Sequence, residues 1–156
     1  MKALKQQPAL WLRRTLLANA GFSTFCAALF LFLADRLAGW TGFSKADLQS
    51  IGIQLGIFAA LVAWVATRDF SLRWARGLAV LVAPGDTLWV VGSLLLAVGI
   101  PAGLVDLTMA GRFAVVLQAV VVADFAFLQF FCWFHLRRAV DPVARADGGA
   151  ARPQAA

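Results

Sequence analysis

Four continuous apolar runs, at about residues 15–33, 50–67, 77–99 and 113–136, dominate the chain. Each is near the roughly 20 residues that carry an α-helix across a hydrocarbon core of roughly 30 Å. In lipid the backbone has no water to bond, so such runs fold as helices, and their continuity, without apolar–polar alternation, excludes a membrane β-barrel. The expected architecture is all-α, an integral membrane bundle of four transmembrane helices spanning residues 15–138. It is flanked by a basic N-terminal segment, 1–14, and by a tail, 139–156, whose Ala, Gly, Pro and Arg content without apolar periodicity predicts disorder. With 62% of its 156 residues hydrophobic, the chain has little left for a second domain.

The cationic residues orient the bundle. Lys2, Lys5, Arg13 and Arg14 ahead of the first run resemble a signal peptide, but the run exceeds the roughly 7 to 15 residues of a cleavable segment and no small-x-small cleavage site follows. It is read as an uncleaved first span. Eleven of the fourteen Lys and Arg fall before span one, between spans two and three, and after span four, while only Arg36, Lys45 and Arg112 fall on the other side. The positive-inside rule then puts both termini in the cytoplasm of a bacterial inner membrane. Trp11, Trp64, Trp74 and Trp133 gather at that same face, and Trp40 marks the opposite interface. A net charge of +6 would suit nucleic acid, yet no basic helix or aromatic–basic platform is present, so the partner expected is the lipid bilayer and not nucleic acid.

Several chemistries are excluded by what is missing. Cys26 and Cys132 lie in different spans without a Cys-x-x-Cys, which removes a thiol relay and leaves them as packing residues. His135 is the sole histidine, so neither a bis-histidine haem within one chain nor a histidine zinc cluster can form. No His-Glu-x-x-His, Gly-x-Ser-x-Gly or phosphate-cradling glycine loop occurs, and without any glutamate the Glu-based sites of small multidrug exporters have no counterpart. No enzyme, cofactor or metal is expected.

What polar chemistry there is lies inside the spans. Asp86 sits roughly 15 Å in from Arg76 and Asp124 roughly 19 Å in from Arg137, near one level on antiparallel neighbours. Close together in low dielectric, the two acids would hold one proton between them and make a protonatable or cation site open to the cytoplasm. Asn19, Ser23 and Cys26 form one weakly polar stripe on span one, and Asp86, Trp89 and Ser93 another on span three. Alternatively, each acid is interhelical glue, hydrogen-bonded to Asn19, Ser23, Ser93 or Gln129. A third possibility is that Pro84 ends the preceding structure and Asp86 caps a helix starting there. Gly52, Gly56, Ala60 and Ala63 make a small-residue packing face on span two, and Gln54 is placed to bond Gln118.

The stretch Asp86-Thr-Leu-Trp89-Val-Val-Gly92-Ser93, after a short basic connection and an Asn19-Ala-Gly-Phe-Ser23 opening, resembles the small uncharacterised bacterial four-helix inner-membrane proteins that share an Asp, Trp, Gly-Ser pattern in the third helix. The likeness covers roughly residues 12–138, with Pro84-Gly85 as a departure; it implies four helices and no known activity. The function expected is that of a small multi-pass accessory or interaction protein without enzymatic activity. Two alternatives stand beside it: a proton- or cation-coupled small transporter using Asp86 and Asp124, with Trp89 and Ser93 lining the path, and a lipid- or quinone-binding protein using Trp89 and the Phe-rich surface. Four short helices enclose little volume, so a homo-oligomer or an unidentified membrane-protein partner is expected as well.

Overall fold

The computed structural model describes residues 7–100, 103 and 105–140 of the chain. The expected tail beyond 140 and the first six residues of the basic segment lie outside them. The described residues are helical and carry no strand. We number the helices α1 (Pro8–Phe32), α2 (Ala34–Thr41), α3 (Lys45–Ala66), α4 (Arg73–Ala97) and α5 (Met109–Val140). All but α2 are long and apolar enough to cross a membrane.

Each long helix begins several residues before its apolar run. Pro8 sits in the first turn of α1, where its missing N–H costs nothing, so Arg13 and Arg14 belong to the helix and not to a separate segment. α4 likewise begins at Arg73, after a tight turn in which the Ser71 backbone N–H and hydroxyl bond Asp69, at 2.9 Å each. Those two bonds, the backbone one foremost, hold the Asp69 carboxyl below the usual carboxylate range. Arg76 is buried here, donating from Nη1 to the carbonyls of Phe70 at 3.2 Å and Ser71 at 2.8 Å. The connection between α3 and α4 is therefore a turn fastened from within. A helix starting only at Asp86 is also ruled out: α4 passes unbroken through Pro84, whose exposed ring frees one carbonyl of the preceding turn.

α1 packs along α3 and also touches α5, while α4 packs mainly on α5 and meets α3 only sparsely. The four long helices thus form a ring in the order α1, α3, α4, α5, with α1 and α4 diagonal. Gly52 is where α1 and α3 approach, 3.2 Å from the Ala27 carbonyl by the position of an added Cβ. The small-residue face is only partly as expected, because Ala60 is exposed and the buried row runs Gly52, Leu55, Ala59 and Val62. At the end carrying the termini, Leu12, Leu16, Val62, Phe70, Ala79, Val82, Cys132 and Leu136 close a dense apolar layer.

The opposite end is built differently. Residues 34–41, outside the four apolar runs, form α2, which Gly42 stops in the left-handed region at φ 85°. Ser44 then starts α3 by a capping box, accepting from the Asp47 N–H at 3.1 Å while Asp47 accepts from the Ser44 N–H at 3.2 Å. The two connections at this end are tied together. The Thr108 N–H donates to the Thr41 carbonyl at 3.0 Å, the Thr108 hydroxyl bonds the Trp40 carbonyl, and the Gly111 N–H returns to the Thr108 hydroxyl at 3.0 Å.

Gly111 is wedged against this tie: a Cβ there would overlap the carbonyl oxygen of Thr41. Gly111→Ala should destabilise the protein by about 1 to 3 kcal/mol, the usual cost of overpacking. Gly21→Ala, at a helical position with open space around it, should be neutral or stabilising by up to about 1 kcal/mol. Thermal unfolding of both in the same detergent checks the contact, and equal behaviour of the two variants would contradict it.

Candidate functional site

Asp86 lies near the middle of α4 and is 2% exposed. Asn19 Nδ2, from α1, donates to its Oδ2 at 2.7 Å, and Gln129 Nε2, from α5, donates to the same oxygen at 2.9 Å. Ser23, one turn from Asn19, donates its hydroxyl to Asn19 Oδ1 at 3.4 Å. The three residues that meet on that oxygen are essentially inaccessible, and the Asn19–Asp86 bond crosses the bundle along its diagonal. No cation reaches the acid: among the described residues the one ion pair is Lys45–Asp35 at the far end, 2.9 Å long and exposed.

Magnitudes show why two amides are needed. An acid at the centre of a membrane helix costs about 2.5 to 3.5 kcal/mol on insertion scales. A hydrogen bond to a charged group returns about 1.5 to 3 kcal/mol, so one donor falls short or only balances, whereas two converging donors offset the cost. Both amides serve Oδ2, and among the described residues Oδ1 accepts no hydrogen bond. The Gln129 Oε1 and the Trp89 Nε1 are also buried and have no partner among the described residues.

A cleft runs from this network toward the end bearing α2, in the space left by the sparse α3–α4 contact. Its inner chamber, about 200 Å³, is lined by Asp86, Ser23, Trp89, Gln54, Gln118 and Phe58 among others. The outer chamber, about 270 Å³, is lined mostly by apolar groups, including Phe30, Phe43, Ile51, Leu88 and Leu96, with Gly92 and Ser93 on the α4 wall. Trp89 and Gln118 border both chambers.

Asn19 and Ser23 of α1, Asp86 of α4 and Gln129 of α5 are thus joined in one hydrogen-bonded network, and Trp89 and Ser93 line the cleft. Two expectations are corrected. Asp124 is exposed on the outside of α5 and joins none of the hydrogen bonds of the described residues; five positions from Gln129, it points about 140° away around the helix. The acids therefore form no proton-sharing pair. The cleft also does not open toward the termini, where the apolar layer of Leu12, Leu16, Val82 and Cys132 lies. Gln118, expected to bond Gln54, instead borders both chambers, while Gln54 donates to Ser50 at 3.3 Å. What the sequence missed was the apolar wall from α1, α3 and α5, since Phe30, Ile51 and Val115 look no different from lipid-facing residues in a hydrophobic run.

No family model, curated protein or solved structure matches the chain.

The network makes a specific demand on stability. Asn19→Leu and Gln129→Leu should each cost about 1 to 3 kcal/mol, and together more than their sum, because the second change removes the last donor to a buried acid. Adding Asp86→Leu to the double variant should recover much of the loss, since replacing all partners by apolar groups leaves nothing unsatisfied. Unfolding midpoints in detergent for the four proteins test this; additive losses with no recovery would show that the three side chains do not act as a unit.

Proposed function

We propose that this is a non-enzymatic multi-pass protein of a bacterial inner membrane, with both termini cytoplasmic, that holds an amphiphile inside its helix bundle. The tail occupies the outer chamber and the polar head the inner one. The observation that carries this reading is the polarity gradient of the cleft, from apolar walls at Phe30, Ile51 and Leu96 to the acid at its floor. Pockets for small molecules are mostly apolar with a few placed polar groups, and they are commonly found between helices of bundles. The free Oδ1 of Asp86 offers an acceptor and the unpartnered Trp89 indole a donor, which suits a head bearing both a hydroxyl or amine and a carbonyl or ether oxygen. A glycerolipid head has both, and a quinol supplies donor and acceptor through its hydroxyl groups.

The family likeness read from Asp86, Trp89, Gly92 and Ser93 acquires a physical content here, because those residues are one wall of the cleft. The orientation is supported by the cation–aromatic pairs at the end of the termini: Arg14 over Trp11, Arg68 over Trp64 at 4.4 Å, and Arg137 over Trp133. Such pairs suit the head-group layer, where amphipathic rings and cations anchor a bundle. Coupled transport has one observation in its favour, the buried Asp86, but its second acid lies outside the cleft.

Two experiments follow. Reporters inserted at Ser71 and fused at the C-terminus should report cytoplasm, and one inserted at Phe43 the periplasm; a cytoplasmic signal at Phe43 would remove the four-span topology. Native mass spectrometry of the detergent-extracted protein should show one amphiphile per chain. A Cβ at Gly92 meets nothing within 4 Å, so Gly92→Phe should fold and fill the outer chamber, abolishing the adduct, while Gly77→Phe, in open space near the other end, should keep it. Equal occupancy in both variants, or an empty wild type, would overturn the reading.

A further inference from the structure

The bundle accounts for one intramembrane acid and leaves the other unexplained. Asp124 stands near the middle of α5, the longest helix, and is exposed on its outer surface. Leu117, Val120 and Phe127 share its face and are each more than half exposed, at 55%, 54% and 68%. Within the membrane placement proposed above, this puts a carboxyl against acyl chains at the depth where it is most costly, and acids there nearly always face protein or water. A lipid-facing surface needs no such residue.

We propose that the Asp124 face of α5 is the contact surface between two copies of this chain, packed about a two-fold axis passing close to Asp124. The occupant follows from the chemistry of the group. Every Lys and Arg of the described helices lies within two turns of a helix end, so a second copy brings no cation to this depth. It brings another Asp124. A carboxylic acid has both a donor and an acceptor, which makes it self-complementary, and a two-fold contact places each residue near its own counterpart. The rest of the face is apolar, so this single pair satisfies every polar side chain it buries. Beside it α4 and α5 leave a groove lined by Pro84, Thr87, Leu88, Phe127 and Phe130, a concave strip in which side chains of the other copy seat. Lipid tails are as apolar as leucine and give no hydrophobic drive to association, so a hydrogen-bonding residue at the centre is what makes such a contact selective. Leu88 borders both this groove and the outer chamber, while Asp124 itself lines neither chamber.

The test uses the full chain, labelled at its C-terminus with donor and acceptor dyes and reconstituted in phosphatidylethanolamine–phosphatidylglycerol vesicles over a range of protein-to-lipid ratios. Wild type should transfer energy with the dilution profile of a dimer. Asp124→Asn, whose amide also donates and accepts, should keep the profile, and Asp124→Leu should weaken it about tenfold in dissociation constant. Both substitutions are on an exposed position and leave the Asp86 network intact. Val121→Cys, one turn from Asp124, should form a disulfide-linked dimer on oxidation while Ile57→Cys, exposed on α3, should not; Cys26 and Cys132 are buried. A monomer at every ratio overturns the proposal. So does an Asp124→Leu profile equal to wild type, or a monomeric wild type that retains a different membrane protein through Asp124.

Discussion

A carboxyl group in the middle of an apolar bundle must find donors or destabilise it, and at Asp86 the donors come from two other helices. Asn19 reaches across the diagonal from α1, and Gln129 comes from the neighbouring α5. The consequence is geometric. Helices α1 and α4 have no direct backbone approach, yet their rotation about their own axes is fixed, since turning either by one residue would swing its polar group out of reach. The network specifies register in a place where leucines and phenylalanines would pack acceptably in several ways, a role best attested for single buried polar groups in coiled coils.

That constraint also divides the bundle into unlike halves. Toward the termini the side chains below Asp86 form one buried apolar cluster, from Ala79 and Val82 through Leu16 to Leu136. Toward α2 a cleft remains, because α3 and α4 meet only sparsely and Gly85 and Gly92 put no side chain into the space between the helices. The hydrogen bonds joining Trp40 and Thr41 to Thr108 then do for this end what core packing does for the other, holding α5 against the connection that precedes α3. The cleft and the hydrogen-bonded tie at its outer end are two aspects of one arrangement.

Much of this was legible in the sequence. Run length and continuity give the four long helices, and the i, i+3, i+4 spacing of Asn19, Ser23, Asp86 and Trp89 puts them on inward faces at matching depth. The apolar runs begin several residues after the helices do, since hydropathy marks where a helix becomes apolar and says nothing about where its hydrogen bonds begin; Pro8 and the capping residue Ser44 carry that information instead. The short helix α2 escaped because its composition, with Asp35, Arg36, Gly39 within it and Gly42 at its end, reads as connection. Asp124 was assigned to the interior by depth alone. Depth fixes a residue's height along a helix but not its azimuth, and the azimuth of α5 is set by Gln129, Cys132 and Leu136, which turn Asp124 outward.

The claim on which the rest depends is that Asn19 and Gln129 converge on Asp86. Solid-state NMR in lipid bilayers, with side-chain amide ¹⁵N in Asn and Gln and carboxyl ¹³C in Asp, measures it directly. Hydrogen bonds of this kind place each amide nitrogen within about 4 Å of the carboxyl carbon, so the Asp86 signal should show strong dipolar dephasing from both nitrogens, half of it lost in Asn19→Leu. An Asp86 carboxyl that dephases no more than the exposed Asp124 would contradict the account.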